Sequence, residues 1–339
     1  MKNGMLKISF ILPCYNVAPY IGRCIESIEH QDIPQSEYEV ICVDDCSKDN
    51  TVAVIKAHQR LYPNVRLICH TVNKNAGGAR NTGIDAAQGK YVWCVDPDDS
   101  IETNVLGKLI KKSEMQDLDI LLFNHIYTSE SGEESRSGIH KTKDDIQTGI
   151  DFTLTQCAPR YLYDMASHTC CLYKRMFLEA NQIRYPVIRS SQDVVFVWKA
   201  ELLAKRVSTV SDSCYHVYRR PESTTGSRGK LRANALIAGS LLYANEVNGL
   251  RSLSDNAVIE ENLKHEIGLA LNDDSRNVLR MTQKEQGLFY QEVQNYAPLV
   301  VRYQEFMNRK TKVIFNYRLP YPIWQAMMWM YMMKELMKG

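Results

Sequence analysis

The stretch Tyr91 to Ser100, YVWCVDPDDS, runs five residues apolar enough to be a buried strand straight into three carboxylates, Asp96, Asp98 and Asp99. Like charges this close repel one another, so without a ligand the cluster is expected to show raised pKa values. Carboxylate oxygens are the ligands of hard cations, and Mg²⁺ or Mn²⁺ on an Asp-x-Asp pair keeps positions open for a diphosphate and water. A metal so placed can neutralise a departing nucleoside diphosphate. Taken alone, D-P-D-D reads equally as a surface turn. Two further carboxylates, Asp44 and Asp45, close the apolar stretch YEVICVDD, and Pro13, Tyr15 and Asn16 follow KISFIL. Asp45 is suited to accept the imide N–H of uracil, and the Tyr15 ring to lie against a base.

Those residues meet only if the chain brings three strand ends to one edge. KISFIL, YEVICVDD, VRLICHTV and Tyr91 to Val95 are rich in β-branched and aromatic residues and read as strands. Between them, Ile21, Ile25 and Ile28, then Val54, Ala57 and Leu61, recur at helical spacing. Strands alternating with helices predict a mostly parallel sheet with helices on both faces. Ligands bind such sheets beyond the carboxyl ends of the strands, where the five aspartates would gather. A helix over about 104–116 and a strand, LDILLFNHIY, continue the pattern, and the polar segment from Thr128 to Asp145 reads as a surface loop.

Other chemistries fit less well. A dinucleotide fold needs glycines in the turn after its first strand, where this chain has PCYN, and GGARNTG follows the third strand. A net charge of +2, from 41 basic and 39 acidic residues, offers no global field for nucleic acid. The ten cysteines lack zinc-site spacing, which points to buried thiols in a reducing compartment.

In this order and spacing, ISFILPCYN, VICVDDCSKDNT, NAGGARNTGIDAAQGKYVWCVDPDD and SQDVVFVWKA resemble the inverting family 2 glycosyltransferases of the GT-A fold, over residues 7–227. The resemblance implies an α/β, GT-A-like, mostly parallel sheet flanked by helices, a nucleotide-sugar donor with UDP-sugar favoured, a divalent metal, and a single displacement that inverts the anomeric centre. Carried onto this sequence, it assigns Pro13, Tyr15 and Asn16 to the nucleotide-binding first loop and Asp45, with Asp44 beside it, to base recognition. Arg80 then lies near ribose and phosphates. Asp96 and Asp98 form the Asp-x-Asp pair, with Asp99 an additional ligand candidate, and Asp193 is the catalytic base. Gln192 departs from the pattern, since the family commonly has Glu there. Arg219 and Arg220 are expected to clamp the diphosphate from a loop after a further strand. Acceptors in the family's usual setting, bacterial surface polysaccharide or lipopolysaccharide assembly, are glycans or lipid-linked glycans.

After about Lys230 the pattern becomes helical, which predicts a catalytic domain over 1–229 and a helical C-terminal extension over 230–339. MKNGMLKISF lacks the apolar core of a signal peptide, and no run of about 18 uncharged apolar residues marks a spanning helix, so the expected location is cytoplasmic. The tail, PIWQAMMWMYMMKELMKG, follows Arg309, Lys310, Lys312 and Arg318. Three fates are open to it: peripheral contact with the inner face of the plasma membrane, docking on its own domain, or a homodimer interface. Two rival functions remain. A nucleotidyltransferase would want a glycine-rich basic loop in place of LPCYN, and a non-catalytic sugar-nucleotide or polysaccharide-binding module would keep the aspartates without turnover.

Overall fold

The computed structural model describes residues 6–129, 131–137, 146–157, 167–188, 191–218, 239–279, 281–316 and 318–336. It forms two compact units, one of residues 1–187 with 192–220 and the other of 188–191 with 221–339. The expected boundary at residue 229 lies outside the described residues.

The first unit is built on one nine-stranded sheet. Its strands are β1 (Ile8–Cys14), β2 (Tyr38–Asp44), β3 (Val65–Cys69), β4 (Tyr91–Cys94), β5 (Ser100–Ile101), β6 (Ile120–Thr128), β7 (Glu134–Ser137), β8 (Cys171–Lys174) and β9 (Val207–Tyr218). They lie in the order β3-β2-β1-β4-β8-β6-β9-β5, with β7 on β6. The half formed by β3, β2, β1 and β4 is parallel throughout. Beyond β4 the ladders are antiparallel except for β6 with β9. β1 and β2 are buried along their whole length, as strands covered on both faces must be, which is why their sequences run apolar without alternation. β7 was not legible as a strand. ESRS has no apolar side to alternate, and only its pairing with β6 defines it.

The described residues of this unit form the helices α1 (Ile21–Glu29), α2 (Thr51–Leu61), α3 (Asn75–Ala86), α4 (Leu106–Met115), α5 (Gly149–Cys157), α6 (Arg175–Ala180) and α7 (Gln192–Leu203). α1 buries Ile21, Cys24, Ile25 and Ile28, the one stripe its helical spacing predicts. Phe10, Trp93 and Phe123 pack ring on ring through the core, at 5.6 and 4.7 Å. α3 has almost no apolar stripe and instead approaches through small residues. A Cβ on Gly83 would lie 2.3 Å from Cγ2 of Ile11, so α3 rests directly on β1.

The second unit is helical: α8 (Gly239–Leu250), α9 (Ala257–Leu279), α10 (Gln283–Asn295), α11 (Ala297–Arg302), α12 (Arg309–Ile314) and α13 (Tyr321–Leu336). α10 begins with a capping box between Thr282 and Glu285. The apolar tail is α13. It docks on its own unit through Trp324 and Met328, both buried, and the Trp324 indole N–H donates to the Ile314 carbonyl at 2.9 Å. Ile323, Trp329 and Met330 stay exposed. No described helix is long and apolar enough to cross a membrane.

Candidate active site

The ends of β1, β2 and β4 bring the expected residues to one edge of the first unit. Pro13 is buried in β1 just past the last rung shared with β4, Ile11 with Cys94. The Tyr15 ring stands 47% exposed in the loop that follows. Asn16 turns left-handed, at φ 53°, and its carboxamide oxygen accepts from the Lys48 N–H while its own N–H donates to Ser47 Oγ. Asn16 therefore ties the first loop to the second. Asp44 accepts from the Ser47 N–H through Oδ2, and its other oxygen is buried without a hydrogen-bond partner among the described residues. Asp45 accepts from the Lys74 N–H at 2.8 Å and faces His70 Nδ1 at 2.7 Å, while His70 Nε2 meets Thr82 Oγ1 at 2.9 Å. This holds the carboxylate of Asp45 in place from α3.

The densest electrostatics lie between α3, β4 and α7. Arg80, buried on α3, pairs through Nη2 with Asp96 Oδ1 at 2.7 Å, and its Nε and Nη1 have no hydrogen-bond partner among the described residues. His168, in a one-turn 3₁₀ helix before β8, lies 3.6 Å from Asp96 Oδ1 through Nε2 and 3.7 Å from Asp193 Oδ2 through Nδ1. Asp193 sits in the first turn of α7, next to Gln192, whose side-chain Oε1 is buried and has no hydrogen-bond partner among the described residues. α3 reaches this place because Gly77 has no side chain: a Cβ there would lie 3.1 Å from the Pro186 carbonyl oxygen and 3.2 Å from Gln192 Cγ. Tyr185 fills the space beside them. Asn81 of α3 brackets its backbone, and its ring stacks on Phe196 of α7 at 4.0 Å.

The expected rise in carboxylate pKa appears at one aspartate and reverses at another. Burial, then the charges of Asp96 and Asp98, push Asp99 up to about 8 against hydrogen bonds from the Tyr218 N–H and the Tyr215 hydroxyl. At Asp96 burial also works upward, but Arg80 and His168 outweigh it and hold the carboxyl well below the usual range. Burial raises Asp193 too, yet His168 and then Arg80 overcome it, so its carboxylate is ionised at neutral pH. For His168 itself, burial and Arg80 push down while Asp193 and Asp96 more than compensate, which leaves its pKa raised.

Asp99 thus faces the tyrosines of β9, and Tyr215 links both ends of the turn by accepting from the Asp96 N–H and donating to Asp99. Arg23 braces the same turn, donating to the Asp98 carbonyl at 2.6 Å and lying 3.6 Å over the Tyr218 ring. Among the described residues no group of three or more His, Cys, Asp or Glu side chains converges on a metal position. That is compatible with a divalent ion of the Mg²⁺ or Mn²⁺ kind, which takes one or two carboxylates from the protein and the rest of its oxygens from phosphates and water. The donor set at Asp96 and Asp98 is right for it in kind.

Arg219 and Arg220 lie outside the described residues. His216, next to them, meets Glu102 Oε2 at 3.1 Å and belongs to the β5–β9 pairing. Sequence reading gave no role to His70, His168 or Tyr215, which earn their place only through partners 12 to 119 residues away. A lone histidine or tyrosine carries no spacing signal for such a contact.

The chain is similar to several known proteins. The poly(ribitol-phosphate) beta-glucosyltransferase of Bacillus spizizenii is 33% identical over 216 residues, covering 62% of this chain and 32% of the relative. The poly(ribitol-phosphate) beta-N-acetylglucosaminyltransferase TarS of Staphylococcus aureus is 30% identical over 222 residues, covering 64% of this chain and 36% of the relative. The chain spans about a third of the length of these curated relatives. Among solved structures, S. aureus TarS 1–349 in complex with UDP superposes with a TM-score of 0.62 at 25% identity, covering 95% of this chain and 88% of that one. The fold is therefore the expected α/β arrangement of the GT-A type with a helical C-terminal region. The sequence model described as Glycosyl transferase family 2 matches residues 9–181, just over half of the length, and the chain belongs to that family.

Proposed function

We propose that the chain transfers a sugar, with inversion, from a nucleoside-diphosphate sugar, a UDP-sugar in the first instance, to a hydroxyl of a glycan or lipid-linked acceptor in the synthesis of a bacterial surface polymer. The observation that carries this reading is the row Arg80, Asp96, His168, Asp193, in which successive side chains lie 2.7, 3.6 and 3.7 Å apart and two guanidinium nitrogens have no hydrogen-bond partner among the described residues. The two poly(ribitol-phosphate) glycosyltransferases and the UDP complex of TarS support the choice of donor and setting.

In this reading Asp44 and Asp45 take the base and ribose end, with the exposed Tyr15 ring against the base and Pro13 and Asn16 shaping the loop. The unpaired Nε and Nη1 of Arg80 donate to the diphosphate. Asp96 and Asp98 would hold the Mg²⁺ or Mn²⁺, with Asp99 behind them, and the ion supplies charge neutralisation for the leaving diphosphate. Asp193, kept ionised by His168, takes the proton from the acceptor hydroxyl as that oxygen attacks the anomeric carbon. Arg219 and Arg220 would close on the diphosphate from the segment after β9 and exclude water. The proposed location is cytoplasmic. The exposed Ile323, Trp329 and Met330 suit peripheral contact with the inner membrane face or with a second copy.

The test is the thermal midpoint of the chain with UDP, UDP-glucose and UDP-N-acetylglucosamine, each with and without Mn²⁺, since ligands that bind only the folded state raise it. A rise that needs both nucleotide and metal is the expected result. No rise with any nucleotide would overturn the donor site and favour a polysaccharide-binding module.

A further inference from the structure

We infer that His168 is a positioning residue, which sets the carboxylate of Asp193 at a fixed distance and orientation from Asp96; the inference rests on the glycosyl-transfer reading above. The imidazole is buried, with only 5% of the residue exposed, and its two nitrogens face two different carboxylates at 3.6 and 3.7 Å. Both distances lie just beyond hydrogen-bond length, so the ring sets the spacing and facing of the two carboxylates by electrostatic contact through its opposite nitrogens. Its own place is set through one ring contact. The ring meets Tyr185 edge to face at 5.8 Å, and Tyr185 is held by Asn81 of α3 and stacked on Phe196 of α7. Those two helices also carry Arg80 and Asp193, so His168 keys the base to the frame that holds the diphosphate partner.

The two carboxylates differ in what else holds them. Asp96 has the Arg80 guanidinium at 2.7 Å and its backbone N–H on Tyr215, whereas Asp193 faces His168 from the open end of α7. Without the ring, Asp96 stays where it is and Asp193 turns away from its like charge. Removing His168 therefore costs the chemical step and spares the donor site. A misplacement of about 1 Å at a reacting group is worth on the order of 10²-fold in rate.

The experiment uses the full chain and its His168→Ala, His168→Asn and His168→Gln variants. UDP release from UDP-glucose or UDP-N-acetylglucosamine, with water as acceptor, gives kcat and KM. Calorimetry with UDP and Mn²⁺ gives donor-site affinity, and the thermal midpoint verifies folding. Expected for His168→Ala is a kcat lower by roughly 10²-fold, with KM and UDP affinity little changed. The Asn amide nitrogen falls where Nδ1 lies, toward Asp193, and restores part of kcat. The Gln amide nitrogen falls where Nε2 lies, toward Asp96, and does not. Because His168 acts through Asp193, adding His168→Ala to Asp193→Asn slows the enzyme no further, whereas independent roles would multiply.

Unchanged kcat in a folded His168→Ala, equal rescue by Asn and Gln, or multiplied losses in the double variant would each overturn the inference while leaving the glycosyl-transfer reading intact. If His168→Ala does not fold, the Asn and Gln pair decides the question alone. An unaltered chain that neither binds UDP nor releases it overturns the reading and this inference together.

Discussion

Asp96 and Asp99 share one tight turn and differ in proton affinity because their partners differ: Asp96 meets a guanidinium, and Asp99 lies buried among like charges against β9. The carboxylates were legible in sequence, since D-P-D-D closing an apolar run already states the charge problem. Its local solution was not, because Arg80, Tyr215 and His168 reach the turn from other elements. The same holds for Asp193, which SQDVVFVWKA marks as a helix start and only the fold places near Asp96. Replacing Asp193 by Asn keeps its size and removes its ability to take a proton. Release of UDP from a UDP-sugar should then fall by about 10²–10⁴-fold, while the thermal shift with UDP and Mn²⁺ persists. Full turnover in that variant would sink the assignment of Asp193 as the base.

α3 shows why an element can matter more than its own residues suggest. NAGGARNTGIDA carries almost no apolar stripe, and its sequence marks Arg80 through the family resemblance without showing how the helix packs, but its small residues let the backbone lie on β1 at Gly83 and against the Pro186 carbonyl at Gly77. Arg80 and Asn81 are delivered to the site by that approach. The parallel half of the sheet was predictable because β1, β2 and β3 each lead into a helix of their own. The antiparallel half was not: β8 is four residues long and β7 is wholly polar, so neither carries a pattern. Replacing Gly77 by Val should overpack the contact with Gln192 and Tyr185, at a cost of about 1–3 kcal/mol. Because Gln192 opens α7, the displacement reaches Asp193. Turnover of a UDP-sugar should fall well beyond what the loss in urea midpoint accounts for, and Gly77→Ala, with a single Cβ to place, should do less of both. A Val variant that is destabilised yet turns over normally would show that the α3–α7 contact only supports the fold.

At the scale of the molecule, the near balance of charge says little, and the buried charges say more. Glu201, on α7, is 2% exposed; among the described residues one oxygen has no hydrogen-bond partner and the other meets only the Thr153 hydroxyl, at 3.4 Å across to α5. Its apolar helix gave no hint of this, since VVFVWKAELLA places the glutamate among residues that a surface or a core position would equally explain. Burial lifts its pKa from 4.5 to about 8, so the folded chain keeps this proton at neutral pH and the unfolded chain does not. The sign follows directly: the folded state binds more protons than the unfolded state between those two values, and stability falls as pH rises through that window. Below the unfolded value the contribution is fully present, and above about 8 the loss is complete. Glu201→Gln keeps the shape and the polar atoms but cannot ionise. The variant should therefore gain on the native chain by on the order of 1 kcal/mol per pH unit as pH rises between 5 and 8, and hold a constant lead beyond. Urea midpoints of the two proteins at pH 5, 6.5, 8 and 9 test it, because groups common to both cancel in the difference. A difference that stays flat across the whole range would mean that Glu201 is ionised in the folded chain, with its charge met by groups other than Thr153.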